Sequence, residues 1–208
     1  MTRTIARIWL MGLLLLALPP AARAAPLTLA DLASGSTFSS LDGTLSFGSF
    51  SVMQSGSVSS PLTDFEVVTL IDGFEVVGPF SAFDGELGGM SIDYTVTASL
   101  PLERAHLSFN GAAFGVGAEA RVDESFASLS QTLLVQALPG SQQLSESVSI
   151  LGVGSSLMVV KQISLTSVPS GAAQISLVAQ RFEVVPEPSV AVLLLLGTSG
   201  LFVARRRR

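Results

Sequence analysis

The sequence predicts an all-β fold: one antiparallel, sandwich-like domain over residues 25–185. An N-terminal signal peptide (1–24) and an apolar C-terminal tail with one membrane-spanning helix (186–208) flank it. Three observations predict the sandwich. Short runs that alternate apolar and polar residues recur along the body, as half-buried strands require. Turn-forming stretches such as Asp-Gly, Gly-x-Gly and Pro-Ser-Gly separate them at intervals of about ten residues. Only Leu27–Ala33 carries a helical pattern, with Thr28 in the capping position.

The elements follow in order. In "TLSFGSFSV" (Thr44–Val52), Leu45 and Phe47 share one phase and Phe50 and Val52 the other. A phase change at Gly48 predicts a β-bulge there. Phe65–Ile71, Asp72-Gly73 and Phe74–Val77 read as strand, turn and strand of a hairpin. "SIDYTVTASL" (Ser91–Leu100) alternates most cleanly, with Ile92, Tyr94, Val96, Ala98 and Leu100 on one face. Ala105–Phe109 is a short strand, and Glu119–Phe126 is read as another. Leu144–Leu151, Ser156–Leu165 and Ala172–Val185 complete the set, with turns at Gly152-Val153-Gly154 and Pro169-Ser170-Gly171. The second of these turns lies between "QISL" at Gln162 and "QISL" at Gln174 and predicts a hairpin. "FEVV" occurs at Phe65, Phe74 and Phe182, but its uneven spacing excludes a solenoid repeat.

Both ends read as targeting segments. Arg3 and Arg7 precede the apolar run Ile8–Leu18, which Pro19-Pro20 closes. Ala22 and Ala24 then place small residues for cleavage before Ala25, the pattern of a secretory signal peptide handled by the general secretory machinery. The eleven-residue run is short for a bilayer span, which takes about 20 residues. At the other end Ser189–Ala204 has no ionisable side chain. As a helix it would rise roughly 24 Å against a hydrocarbon core of about 30 Å, a marginal span that snorkelling arginines extend. Arg205, Arg206, Arg207 and Arg208 form the stop that stays cytoplasmic by the positive-inside rule.

Pro186-Glu187-Pro188, then an apolar helix, then the arginine cluster resembles the PEP-CTERM sorting signal of Gram-negative bacteria. The resemblance covers the last 23 residues, 186–208, and its three parts occur in order. It implies an exosortase-type membrane protease as partner, cutting near Pro186–Pro188. It also implies transient anchoring in the inner membrane, followed by a cell-surface or extracellular location. The Ser/Thr/Gly-rich strands of the body are similar to the β-rich bodies that such tails carry, and contain no defining motif of a named body family.

The body holds four basic residues, Arg104, Arg121, Lys161 and Arg181, against fifteen acids. So acidic a domain is a poor partner for nucleic acid or anionic lipid. The chain has no cysteine, which excludes disulfides, thiolate metal sites and Cys nucleophiles. His106 is the only histidine; it reads as a surface residue rather than a general base, and no Gly-x-Ser-x-Gly elbow accompanies the many serines. Lys161, the only lysine, reads as solvent-facing on its strand. Asp42-Gly43, Asp72-Gly73 and Asp84-Gly85 are turn residues or, in the other reading, Ca²⁺ ligands at one end of the sandwich. Asp64/Glu66 and Asp123/Glu124 are candidate carboxylate pairs, but the body has one Tyr and no Trp to stack on a sugar. No catalytic residue, metal site or cofactor is assigned. The expectation is an exported, non-enzymatic surface or matrix protein, with a Ca²⁺-dependent module for acidic exopolysaccharide as the alternative.

Overall fold

The computed structural model describes residues 26–185. The signal peptide with Ala22, Ala24 and Ala25, the Pro186–Pro188 motif, the tail helix and Arg205–Arg208 lie outside the described residues. Within them, no helix is long and apolar enough to cross a membrane.

The body is an antiparallel two-sheet sandwich. Its strands are β1 (Leu27–Thr28), β2 (Phe38–Ser39), β3 (Leu45–Gly56), β4 (Glu66–Thr69), β5 (Gly73–Phe83), β6 (Leu87–Ala98) and β7 (Leu102–Phe114). They continue with β8 (Glu119–Phe126), β9 (Thr132–Leu138), β10 (Ser141–Gln143), β11 (Ser145–Ser149), β12 (Ser156–Thr166) and β13 (Ala172–Val184). A six-stranded sheet has the order β1-β4-β5-β13-β7-β11, and a seven-stranded sheet has the order β10-β9-β8-β12-β6-β3-β2. The one α-helix among the described residues, α1 (Leu29–Ala33), starts in a capping box. The Asp31 N–H donates to Thr28 Oγ1 and the Thr28 N–H donates to Asp31 Oδ2.

Local sequence explains most of these elements. The β3–β6 register shifts between Gly48 and Ser51, with Ser49 at φ 56°. The extra residue lets both Phe47 and Phe50 face inward, as the change of phase predicts. β4 and β5 form the expected hairpin across Asp72-Gly73, with Thr69 opposite Phe74. Each "FEVV" supplies a buried phenylalanine, Phe65, Phe74 and Phe182, to the six-stranded layer. Phe65 lies flat on β5 because Gly78 has no side chain; a Cβ there would stand 2.2 Å from its ring. The expected short strand at Ala105–Phe109 is the middle of a longer one, the first two residues of the expected Leu27–Ala33 helix form β1 instead, and β2, β9 and β10 also join the set that the sequence indicates.

One expected strand pairing fails. The two "QISL" segments do not form a hairpin: β12 lies in the seven-stranded sheet and β13 in the six-stranded one. Turn chemistry at Val168–Gly171 reverses the chain, but it does so across the sandwich. From β5 onward the chain repeatedly changes sheets, and three of these corners meet at one end. The Asp84 N–H donates to the Gly171 carbonyl at 3.1 Å, the Gly85 N–H donates to Ser167 Oγ at 2.9 Å, and a Cβ on Gly115 would touch Val168. At the opposite end the Val185 N–H donates to the Pro101 carbonyl at 2.8 Å, which ties the last described residue to the β6–β7 corner.

Between the sheets sits an aromatic cluster. Phe47 stacks on Phe38 with centroids 5.0 Å apart and meets Phe74 edge-on at 5.1 Å. Tyr94 stacks on Phe50 at 5.4 Å. Phe47 is fully buried at its centre, so Phe47→Ala is expected to lower stability by about 3–5 kcal/mol, read from urea midpoints. The isolated 25–185 fragment should give a β-type circular dichroism spectrum; a mainly helical one would contradict the fold.

Candidate functional site

The outer face of the seven-stranded sheet carries an open groove of about 680 Å³. It lies over β3, β6 and β12, and the outward rows that form its floor continue past it onto β8 and β9. Across the strands from β9 to β3, one outward row reads Leu134, Asp123, Gln162, Ser91 and Met53. The neighbouring row reads Gln136, Arg121, Ser164, Gly89 and Ser55. Gly89 keeps the floor low: a Cβ there would stand 3.2 Å from both Ser55 Oγ and the Ile163 carbonyl.

Hydrogen bonds hold these side chains in place. Gln162 Nε2 donates to Ser91 Oγ at 2.9 Å, and Ser91 Oγ donates to Asp93 Oδ1 at 2.9 Å. Arg121 grips Asp123 with two bonds of 2.6 Å, the fork geometry that locks a guanidinium. Met53 and Leu87 add apolar walls, each about two-thirds exposed. The groove is therefore a row of oriented donors and acceptors beside flexible apolar surface.

The other sheet carries the only histidine. His106 Nε2 lies 2.8 Å from Glu183 Oε1, beside a shallow hollow of about 610 Å³ that Ser108, Ser145, Ser147, Asp72 and Arg181 also line. Among the described residues no serine hydroxyl is hydrogen-bonded to His106, so no Ser-His-acid relay is assembled. His106 and Glu183 form a surface pair.

The remaining candidates separate. Asp123 and Glu124 point to opposite faces of β8, Asp123 outward and Glu124 inward, so they do not act as a pair. Asp64, in a 3-10 turn, and Glu66, on β4, are both exposed. Asp72 and Asp84 stand at the two ends of β5, whose eleven residues span more than about 30 Å. The three Asp-Gly turns therefore do not share a site. Among the described residues there is no group of three or more His, Asp or Glu side chains that could hold a metal ion. Asp42 works as a turn residue, accepting from the Ser40 and Thr44 hydroxyls and the Thr44 N–H.

Lys161 is the clearest correction. It is buried between the sheets, not solvent-facing, and its Nζ donates to Glu124 Oε2 and, at 2.8 Å, to Gln180 Oε1. Burial pushes the Lys161 amine below and the Glu124 carboxyl above their ordinary values, against the attraction of each for the other. Three buried polar atoms, Tyr94 Oη, Glu124 Oε1 and Gln180 Nε2, have no hydrogen-bond partner. Gln180 and Tyr94 carry no sequence motif. Alternation was the available signal: Lys161 is in phase with Leu157, Val159, Ile163 and Leu165, and Glu124 with Ala120, Val122 and Phe126.

No family model and no curated protein matches the chain. Three solved structures are similar at low identity. TmCBM61 in complex with β-1,4-galactotriose has 12% identity, with 64% of this chain and 88% of that chain covered, at a TM-score of 0.34. The enzymatically active domain of bacteriophage CBA120 tailspike protein 4 has 10% identity, with 64% and 19% covered, at 0.29. Trichoderma harzianum endoglucanase 3 of family GH12 has 10% identity, with 79% and 100% covered, at 0.25. TM-scores this low carry no inference about ligand or chemistry, and the function has to be read from this chain's own residues.

Hydrogen bonds hold the Asp31 and Asp42 carboxyls below their ordinary value of 3.8. A lowered folded value contributes stability that is present above pH 3.8 and lost as pH falls through the folded value. Urea midpoints measured from about pH 5 down to about pH 2 should therefore drop, and Asp42→Asn should flatten that acid limb. An unchanged limb in the variant would remove Asp42 from the account.

Proposed function

We propose that the chain is an exported, non-enzymatic surface protein whose sandwich binds a neutral polysaccharide along the outer face of its seven-stranded sheet. The observation that carries the binding half is the groove: Gln162 and Ser91 fixed by hydrogen bonds on its floor beside Ser55 and Ser164, with Met53 and Leu87 for the apolar faces of sugar rings. Methionine adapts its shape to an irregular partner, which suits a chain that slides or varies. Fifteen acids against four bases in the body repel a polyanion. A calcium-dependent module for acidic exopolysaccharide is the less supported reading, because Asp84 lies at the far end of β5 from Asp72 and no group of three possible metal ligands forms among the described residues.

The display half rests on the two ends of the sequence. The last strand stops at Val184 and Val185 is tied to Pro101, so the sandwich is complete one residue before Pro186. Two prolines fix φ and withhold backbone donors, so the Pro186-Glu187-Pro188 sequence would suit cutting by a membrane protease of the exosortase type. The Arg205–Arg208 cluster would hold the tail at the inner face while the protease acts.

Binding is tested by affinity electrophoresis of the purified chain in neutral and acidic polysaccharides, with calcium and with chelator. Retardation by a neutral polymer, independent of calcium, is expected. Gln162→Ala and Met53→Ala should each weaken it about tenfold, or ~1.4 kcal/mol. Retardation only by acidic polymers with calcium would replace this reading with the alternative. For the tail, changing Pro186, Glu187 and Pro188 to alanine in a host with the protease should leave an uncut, membrane-retained form. Release of that variant at its normal mature mass would sink the sorting proposal.

A further inference from the structure

The buried cluster brings the reactants of an amide transfer into one dry place. Lys161 Nζ lies 2.8 Å from the side-chain carbonyl oxygen of Gln180, and the Glu124 carboxylate is in contact with the same Nζ. All three residues are at most 1% exposed. We propose that Lys161 and Gln180 join through an isopeptide bond from Nζ to Cδ, an intramolecular cross-link between the sheets with Glu124 carrying the protons.

The geometry is close to what the reaction needs. A carbonyl bond of about 1.23 Å puts Cδ no more than about 4 Å from Nζ. Reacting atoms in a near-attack arrangement stand about 3–3.5 Å apart, so a small side-chain rotation completes the approach. Gln180 is pinned for it. Gly73 lets β5 lie so close that a Cβ there would stand 1.9 Å from the Gln180 carbonyl oxygen. Lys161 is pinned by β12, which is paired on both sides, with Glu124 directly opposite on β8 and Ile92 on β6.

The step balances without any outside reagent. Glu124 takes a proton from the ammonium, leaving a neutral amine and a neutral carboxylic acid. The Nζ lone pair attacks Cδ of Gln180 and the carbonyl electron pair moves to Oε1. Glu124 gives its proton to Nε2, the electron pair on Oε1 re-forms the carbonyl, and the Cδ–Nε2 bond breaks to release ammonia. Nζ returns its surplus proton to Glu124. The products are one secondary amide, one ammonia and a neutral Glu124. Burial favours this proton arrangement, since it lowers the amine and raises the carboxyl. The Gln180 side-chain amide also bears on the Glu124 carboxyl, the group that has to carry a proton to Nε2. The reaction also removes the buried ion pair, whose desolvation is costly.

Trypsin reads the outcome directly on the full chain after denaturation. Lys161 is the only basic residue between Arg121 and Arg181. An unreacted chain is cut there and gives the peptides 122–161 and 162–181 at their sequence masses. A cross-linked chain gives one uncut peptide, 122–181, lighter by one ammonia, and fragmentation assigns the bond to Lys161 and Gln180. That is the expected result for the wild type. Gln180→Ala and Glu124→Leu should each restore cutting at full mass. Full cutting of the wild type at unmodified mass would overturn the proposal, as would an uncut peptide with no mass loss. Loss of one water in place of ammonia would put the bond on Glu124 and overturn the assignment to Gln180. A cross-link that survives in Glu124→Leu would overturn the role given to Glu124.

Discussion

A lysine, a glutamate and a glutamine meet between the central strands of two sheets, and the surrounding structure has to keep them there. Burying an unpaired charge costs several kcal/mol, so each ion depends on the other being held in contact. That contact depends on register. Lys161 and Glu124 are directly opposite on β12 and β8, and a slip of one residue in either strand would turn its side chain outward and leave the other unpaired. The Phe47, Phe50, Phe74 and Tyr94 cluster fills the same layer. A missing ring there would loosen the inter-sheet distance that sets the Lys161–Gln180 approach.

The architecture was readable where the cause is local. The bulge at Gly48, the Thr28 cap, the hairpin at Asp72-Gly73 and the strand at Glu119–Phe126 each follow from a few neighbouring residues, and each is present. The "QISL" hairpin fails because turn chemistry specifies a reversal and not the sheet that receives it. Whether a strand pairs with its predecessor or crosses to the other layer is decided by long-range burial, here the inward Ile175, Val178 and Phe182 of β13.

Lys161 departs from the expectation of a solvent-facing residue for a different reason. Its residue type argued for solvent, while its phase, in step with Leu157, Val159, Ile163 and Leu165, argued for the core. Phase decided it, since a side chain in the middle of a two-sided strand goes where the alternation sends it. Glu124 and Gln180 follow the same rule on β8 and β13. Three polar residues on three apolar faces are separately unremarkable in sequence; what they do together depends on topology. The groove is legible in the same partial way. Its residues alternate outward as any exposed strand face does, and only the register brings Gln162, Ser91 and Met53 into one row.

The path of the chain links folding to the core chemistry. β6 pairs with β3 and β12, and β13 pairs with β5 and β7, all of them far apart in sequence except β5 and β7 from β6 itself, which lies in the other sheet. Pairings of that kind form late, because loop closure is costly before they are made. Lys161 and Gln180 belong to opposite sheets, so they approach only once both sheets are complete and docked. An amide formed between them would therefore mark chains that have already reached the native register. It would also tie together strands that no hydrogen-bond ladder connects, in a protein without cysteine. The outer groove plays no part in this. Its residues project from the opposite side of the same strands, so the inward chemistry can be fixed while the outward face stays free for a ligand.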